Sequence, residues 1–123
     1  MLSTAELSQL RERTDLIAAG EAAHVPDTSV QVEPLLRDAP RPTDPTAVVG
    51  SIRKLFNVAV YDDLLWAHVT HPKIAAVIAD LLDTEHIKLY GDQLFMKGAN
   101  TGSQQGWHQV SPTTPPTSPP TSL

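Results

Sequence analysis

The chain contains no cysteine. Disulfides and thiolate metal sites are therefore excluded, and the expected localisation is cytoplasmic. Aromatic residues are scarce, with two Trp, two Tyr and two Phe among 123 residues. Any core must be assembled mainly from Leu, Ile, Val and Ala. Cations are also few. Nine Lys and Arg against fourteen Asp and Glu leave a formal net charge of -5. Neutralising phosphate needs clustered Lys and Arg, so no nucleic acid is expected as a main partner. No membrane partner is expected either. There is no basic amphipathic run, and no apolar stretch approaches the ~20 residues that cross a bilayer. Glu6, Glu12 and Asp15 interrupt the segment where a signal peptide would carry an unbroken apolar run. The length suits one small domain, and no internal repeat divides it.

Helical signals open the chain. Ser3 and Glu6 have capping-box spacing, and Leu7, Leu10, Thr14 and Ile17 share a face, which predicts an amphipathic helix over 3–19 stopped by Gly20. Prolines at 26, 34, 40, 42 and 45 then rule out a regular helix; Val30 to Pro34 is a short edge-strand candidate, and Arg37 to Pro45 is a loop. His24 sits in this coil zone without a visible partner. Residues 46–56 satisfy helix and short strand about equally. Over 61–83 a helix pair is expected. Asp62 and Asp63 suit a helix N-terminus and Pro72 the first turn of the next helix. Ile74, Val77, Ile78, Leu81 and Leu82 form a stripe predicted to face the core.

Residues 86–97 alternate with period two, which predicts a strand. Gln93, Phe95 and Lys97 share one parity, a mixture of apolar body and polar ends that suits the inner wall of a barrel as well as a half-exposed strand. Residues 98–106, GANTGSQQG, form a glycine-rich loop without the spacing of a phosphate-binding fingerprint. Residues 111–123 are Ser, Thr and Pro apart from Leu123, with five prolines in thirteen positions. Such a tail cannot form a core and is expected to be disordered or polyproline-like.

The histidines need separate treatment. His68 and His71 have helical i, i+3 spacing, but no further ligands accompany them, so surface or capping roles are expected. The same holds for His86 beside Glu85. His108, in Gly106-Trp107-His108-Gln109, sits at a strand start. On a strand, His-x-Asp would place two ligands on one face, but the i+2 position is Val110, which has no donor atom.

The run Ile87-Lys88-Leu89-Tyr90-Gly91-Asp92-Gln93-Leu94-Phe95-Met96-Lys97, the glycine-rich loop and Gly106-Trp107-His108-Gln109 resemble the phytanoyl-CoA dioxygenase family. Ile52-Arg53-Lys54-Leu55-Phe56 and His71-Pro72-Lys73-Ile74 extend the resemblance to roughly residues 46 to 109. It implies an α+β fold in which N-terminal helices support the first strands of an incomplete double-stranded β-helix, or jelly roll. The domain would span 1–110, followed by the tail at 111–123. It also implies an oxygenase that uses Fe(II) and 2-oxoglutarate to hydroxylate a small-molecule substrate. Carried over by position, His108 is the first iron ligand, Gln93 contacts 2-oxoglutarate, and Lys54 matches, more loosely, a cosubstrate-contacting lysine. Val110 replaces the family's Asp, and the second His, the Arg for the cosubstrate carboxylate and the distal strands are absent from these 123 residues. The expectation is a truncated, inactive member. Two readings from other classes stay open. One is a non-catalytic binding or regulatory module. The other is an adaptor whose segment Pro115 to Pro120 docks to an aromatic groove.

Overall fold

The first helix is fixed at both ends by its own sequence. In the computed structural model, which describes residues 2–98, 101–104 and 106, α1 runs over Thr4–Ala19. The Glu6 amide donates to Ser3 Oγ, and the Ser3 amide and hydroxyl both donate to Glu6 Oε2, closing the capping box. The Ser3 hydroxyl bond, more than any other contact, holds the Glu6 carboxyl below its ordinary range. Gly20 ends the helix at φ 80°, a left-handed conformation that costs a residue with a Cβ but not glycine.

Three short strands follow in an open antiparallel sheet, order β1-β2-β3, with β1 at Val30–Val32, β2 at Ile52–Phe56 and β3 at Gln93–Phe95. The fold is α+β, as the sequence predicts. The segment 46–56, equally suited to helix and strand, is both. Helix α2 occupies Pro45–Gly50, capped by the Asp44 carboxylate on the Ala47 amide, and β2 follows at once. The β2–β3 connection carries α3, Asp63–Val69, and α4, Pro72–Leu82. Asp62 caps α3, and His71 caps α4 by accepting from the Lys73 amide, with Pro72 in the first turn.

Strand β2 is central and does not alternate strictly. Gln31 pairs with Lys54 and Val32 with Ile52, which places Arg53 in a bulge opposite β1. The extra residue resets the pleat, so Ile52 and Leu55 are both buried although three positions apart. They join Ile17 and Ala18 of α1, Val25, Val58, Ala59 and Leu65 of α3 in one core cluster. Each fully buried Leu or Ile contributes about 1.5–3 kcal/mol relative to exposure.

Two expectations need correction. The predicted strand over 86–97 shrinks to Gln93–Phe95. Alternating sequence permits an extended chain, but a strand needs a ladder partner, and β2 pairs only through Lys54, Leu55 and Phe56. The stripe on α4 does not enter the core: α4 has no buried residue, and Leu81 is 79% exposed. Periodicity reports that a helix has an apolar face; it does not report what lies against it. Among the described residues no helix is long and apolar enough to cross a membrane. The tail at 111–123 lies outside the described residues.

Candidate functional site

Antiparallel pairing of β2 with β3 sets Lys54 opposite Phe95 and Phe56 opposite Gln93. These four side chains belong to the face of the sheet opposite Leu55, since neighbouring residues on a strand point to opposite sides. Lys54 and Gln93, 39 positions apart, meet there: Lys54 Nζ donates to Gln93 Oε1 at 3.3 Å. The same ammonium stands 5.2 Å from the Phe56 ring centroid and 5.8 Å from that of Phe95, within cation–π range of both. Two aromatic faces thus hold a cation that an isolated surface lysine would leave to solvent.

The donor inventory determines what this arrangement can bind. An ammonium has three N–H donors, of which Gln93 takes one. With its carbonyl engaged by Lys54, the Gln93 amide presents its NH₂ group. Cation and amide together make a small array of donors suited to a carboxylate. The array lies on an open sheet face. Two cavities border other parts of the described residues. One of about 320 Å³ is bordered by Val30, Val32, Leu36, Arg37, Arg41 and Ile52 on the β1 side, and one of about 550 Å³ lies between α1 and α2.

His108, with Trp107, Gln109 and Val110, lies outside the described residues. Among the described residues no group of three or more His, Asp or Glu is placed to hold a metal. The donor set supplied by the sequence, one His with Val at i+2, does not fit a site of two His and one carboxylate. His71 is occupied as a helix cap, and His68 lines a shallow cleft with Glu6, Gln9 and Leu10.

Two polar clusters escaped the sequence reading. His24, expected to stand alone, is paired: its Nε2 lies 2.9 Å from Asp62 Oδ2, which Arg13 Nη1 also approaches at 3.3 Å. Asp62 Oδ1 accepts the amides of Leu64 and Leu65. Burial pushes this carboxyl up, but the bonds from His24 and Leu65 and the charge of Arg13 outweigh it, so its pKa lies below the ordinary value. The second cluster centres on Glu33, which is fully buried beside β1. Its Oε2 accepts from the Ser103 hydroxyl at 2.7 Å, the Ser103 amide at 3.1 Å and Arg53 Nη1 at 3.3 Å. The Ser103 hydroxyl is the largest influence holding Glu33 below its usual range, against the opposing cost of burial. Glu33 thereby fastens the glycine-rich loop to the bulged strand. A carboxylate just before Pro34 carried no local sign of either partner.

No family model, curated protein or solved structure matches this chain.

Proposed function

We propose that the Lys54–Gln93 face is a carboxylate-binding surface of the kind that receives 2-oxoglutarate in phytanoyl-CoA dioxygenase-like oxygenases. In this reading the open sheet corresponds to the first strands of a jelly roll. The juxtaposition of Lys54 and Gln93 between two aromatic rings supports it. The residue pattern of the β2 and β3 segments, which resembles that family, supports it as well. Iron would supply the oxygen chemistry in an intact member. Here the 123 residues bind the dicarboxylate without turnover, because Val110 contributes no ligand beside His108.

Calorimetry under anaerobic conditions tests the reading, with 2-oxoglutarate titrated in the presence and absence of Fe(II). Weak binding without metal is expected. Lys54→Ala should lower affinity about tenfold or more, since a hydrogen bond to a charged group is worth roughly 1.5–3 kcal/mol. Gln93→Ala should lower it by less. Binding that ignores both substitutions would defeat the assignment. Stoichiometric Fe(II) binding abolished by His108→Ala would show that other residues complete the metal site, and the prediction of no turnover would fail.

A further inference from the structure

Among the described residues, seven of the sixteen large exposed apolar residues fall between Val77 and Tyr90, and four of them, Val77, Ile78, Leu81 and Leu82, lie on α4. With Ile74 they recur at i, i+3, i+4, i+7 and i+8, so they form one continuous stripe along the helix. Solvent is a poor environment for such a stripe.

The charges beside the stripe indicate what covers it. Lys73 and Asp80 are both exposed, and neither forms an ion pair among the described residues. Seven positions apart, they differ by only about 20° around the helix axis and border the stripe on the same side, next to Val77. Too far apart along the axis to pair with each other, they are arranged to pair with a second helix of the same sequence running the opposite way. In an antiparallel two-fold pair like borders meet. The midpoint between Lys73 and Asp80 falls beside Val77, the central residue of Pro72–Leu82. Overlap along the whole helix therefore sets Lys73 of each copy against Asp80 of the other, twice by symmetry. A parallel pair would instead bring this border against Ala75, Ala79 and Leu82, where no charge is available.

We infer that α4 is a self-association surface: two copies of this chain pair through antiparallel α4 helices, with Val77 near the two-fold axis and reciprocal Lys73–Asp80 contacts fixing the register. The inference is independent of what Lys54 and Gln93 bind. Eleven residues span only about 16 Å. The interface is therefore smaller than the roughly 800 Å² per partner of a standard complex, and a dissociation constant on the order of 10 μM or weaker is expected.

Sedimentation equilibrium of the full chain across the micromolar range tests this, with far-UV circular dichroism to verify folding of each variant. The wild type should show a reversible monomer–dimer equilibrium. Leu81→Glu should be monomeric throughout, and Lys73→Asp and Asp80→Lys should each weaken dimerisation at least fivefold. An equimolar mixture of Lys73→Asp with Asp80→Lys should recover the dimer, because every contact in the mixed pair again joins opposite charges. A wild type that stays monomeric up to millimolar concentration overturns the proposal. So does a dimer indifferent to Leu81→Glu, which would locate the contact elsewhere. If the single variants are monomeric and their mixture does not recover the dimer, the antiparallel register is refuted.

Discussion

Asp62 offers the sharpest test of how this small fold is held together, because one carboxylate does two separable tasks. Through Oδ1 it accepts the Leu64 and Leu65 amides of the first turn of α3, both at 3.1 Å. Through Oδ2 it faces His24 and Arg13. Asp62→Ala removes both functions. Loss of the cap costs about 0.5–2 kcal/mol. Leu65 is only 8% exposed, so its stranded amide has little access to water and moves the cost toward the upper end of that range. The ion pairs add less. The side chains of Arg13 and His24 are 37% and 45% exposed, and solvent screens both. Together they contribute about 0.5 kcal/mol. The sum for Asp62→Ala is about 2–2.5 kcal/mol, a large share of the stability of so small a domain. Asp62→Asn keeps an acceptor for the cap and loses only the charge, for about 0.5 kcal/mol. Urea unfolding at pH 7, followed by circular dichroism, measures both. If the Asn variant is as unstable as the Ala variant, the charge pairs dominate and the capping argument is wrong. Acid provides a second check. The folded carboxyl titrates below its ordinary 3.8. Its charge-dependent stabilisation is therefore complete above that value and disappears as pH falls through the lower, folded one. The gap between wild type and Asp62→Asn should close in that window.

Further outcomes follow from other positions. Glu33→Ala strips the acceptor from Arg53 and Ser103 and should cost about 3 kcal/mol, with faster amide exchange at Ser103; unchanged exchange there would mean that Glu33 does not fasten the loop. Gly20→Ala forces a Cβ into the left-handed conformation at φ 80° and should cost about 1 kcal/mol in urea unfolding. Asp83, at φ 50° after α4, presents the reverse case: Asp83→Gly should stabilise by up to about 1 kcal/mol, and a loss of stability would contradict the strain reading.

What was legible in the sequence was local. Ser3 with Glu6, Asp62, Pro72 and Gly20 mark helix ends through contacts made within a turn of their own position, and the structure places the helix ends there. The pairings that decide tertiary structure carry no such mark. His24 reaches Asp62 across 38 positions and Ser103 reaches Glu33 across 70. Alternation over 86–97 overstated the strand because pleating is a property of the single chain, whereas a ladder depends on the length of its neighbour. The α4 stripe was read correctly as apolar and wrongly as core for the same reason. Lys54 and Gln93 were singled out by resemblance; their separation in sequence gave no reason to place them 3.3 Å apart.

The bulge at Arg53 has a consequence for how this sequence tolerates change. A strand of strict period two divides its residues between two surfaces, and a length change inside it exchanges those surfaces. In β2 one surplus residue lets five positions supply two core contacts, a buried ion pair and the Lys54–Phe56 cation–π contact on the opposite face. Deleting Arg53 would leave Ile52, Lys54, Leu55 and Phe56 in strict alternation, with Ile52 and Leu55 still on the core face and Lys54 and Phe56 still on the other, at the cost of the Arg53–Glu33 ion pair. Position 53 is therefore the one place in this segment where a one-codon deletion keeps the two surfaces apart, whereas loss of Lys54 or of Leu55 should be far less tolerable.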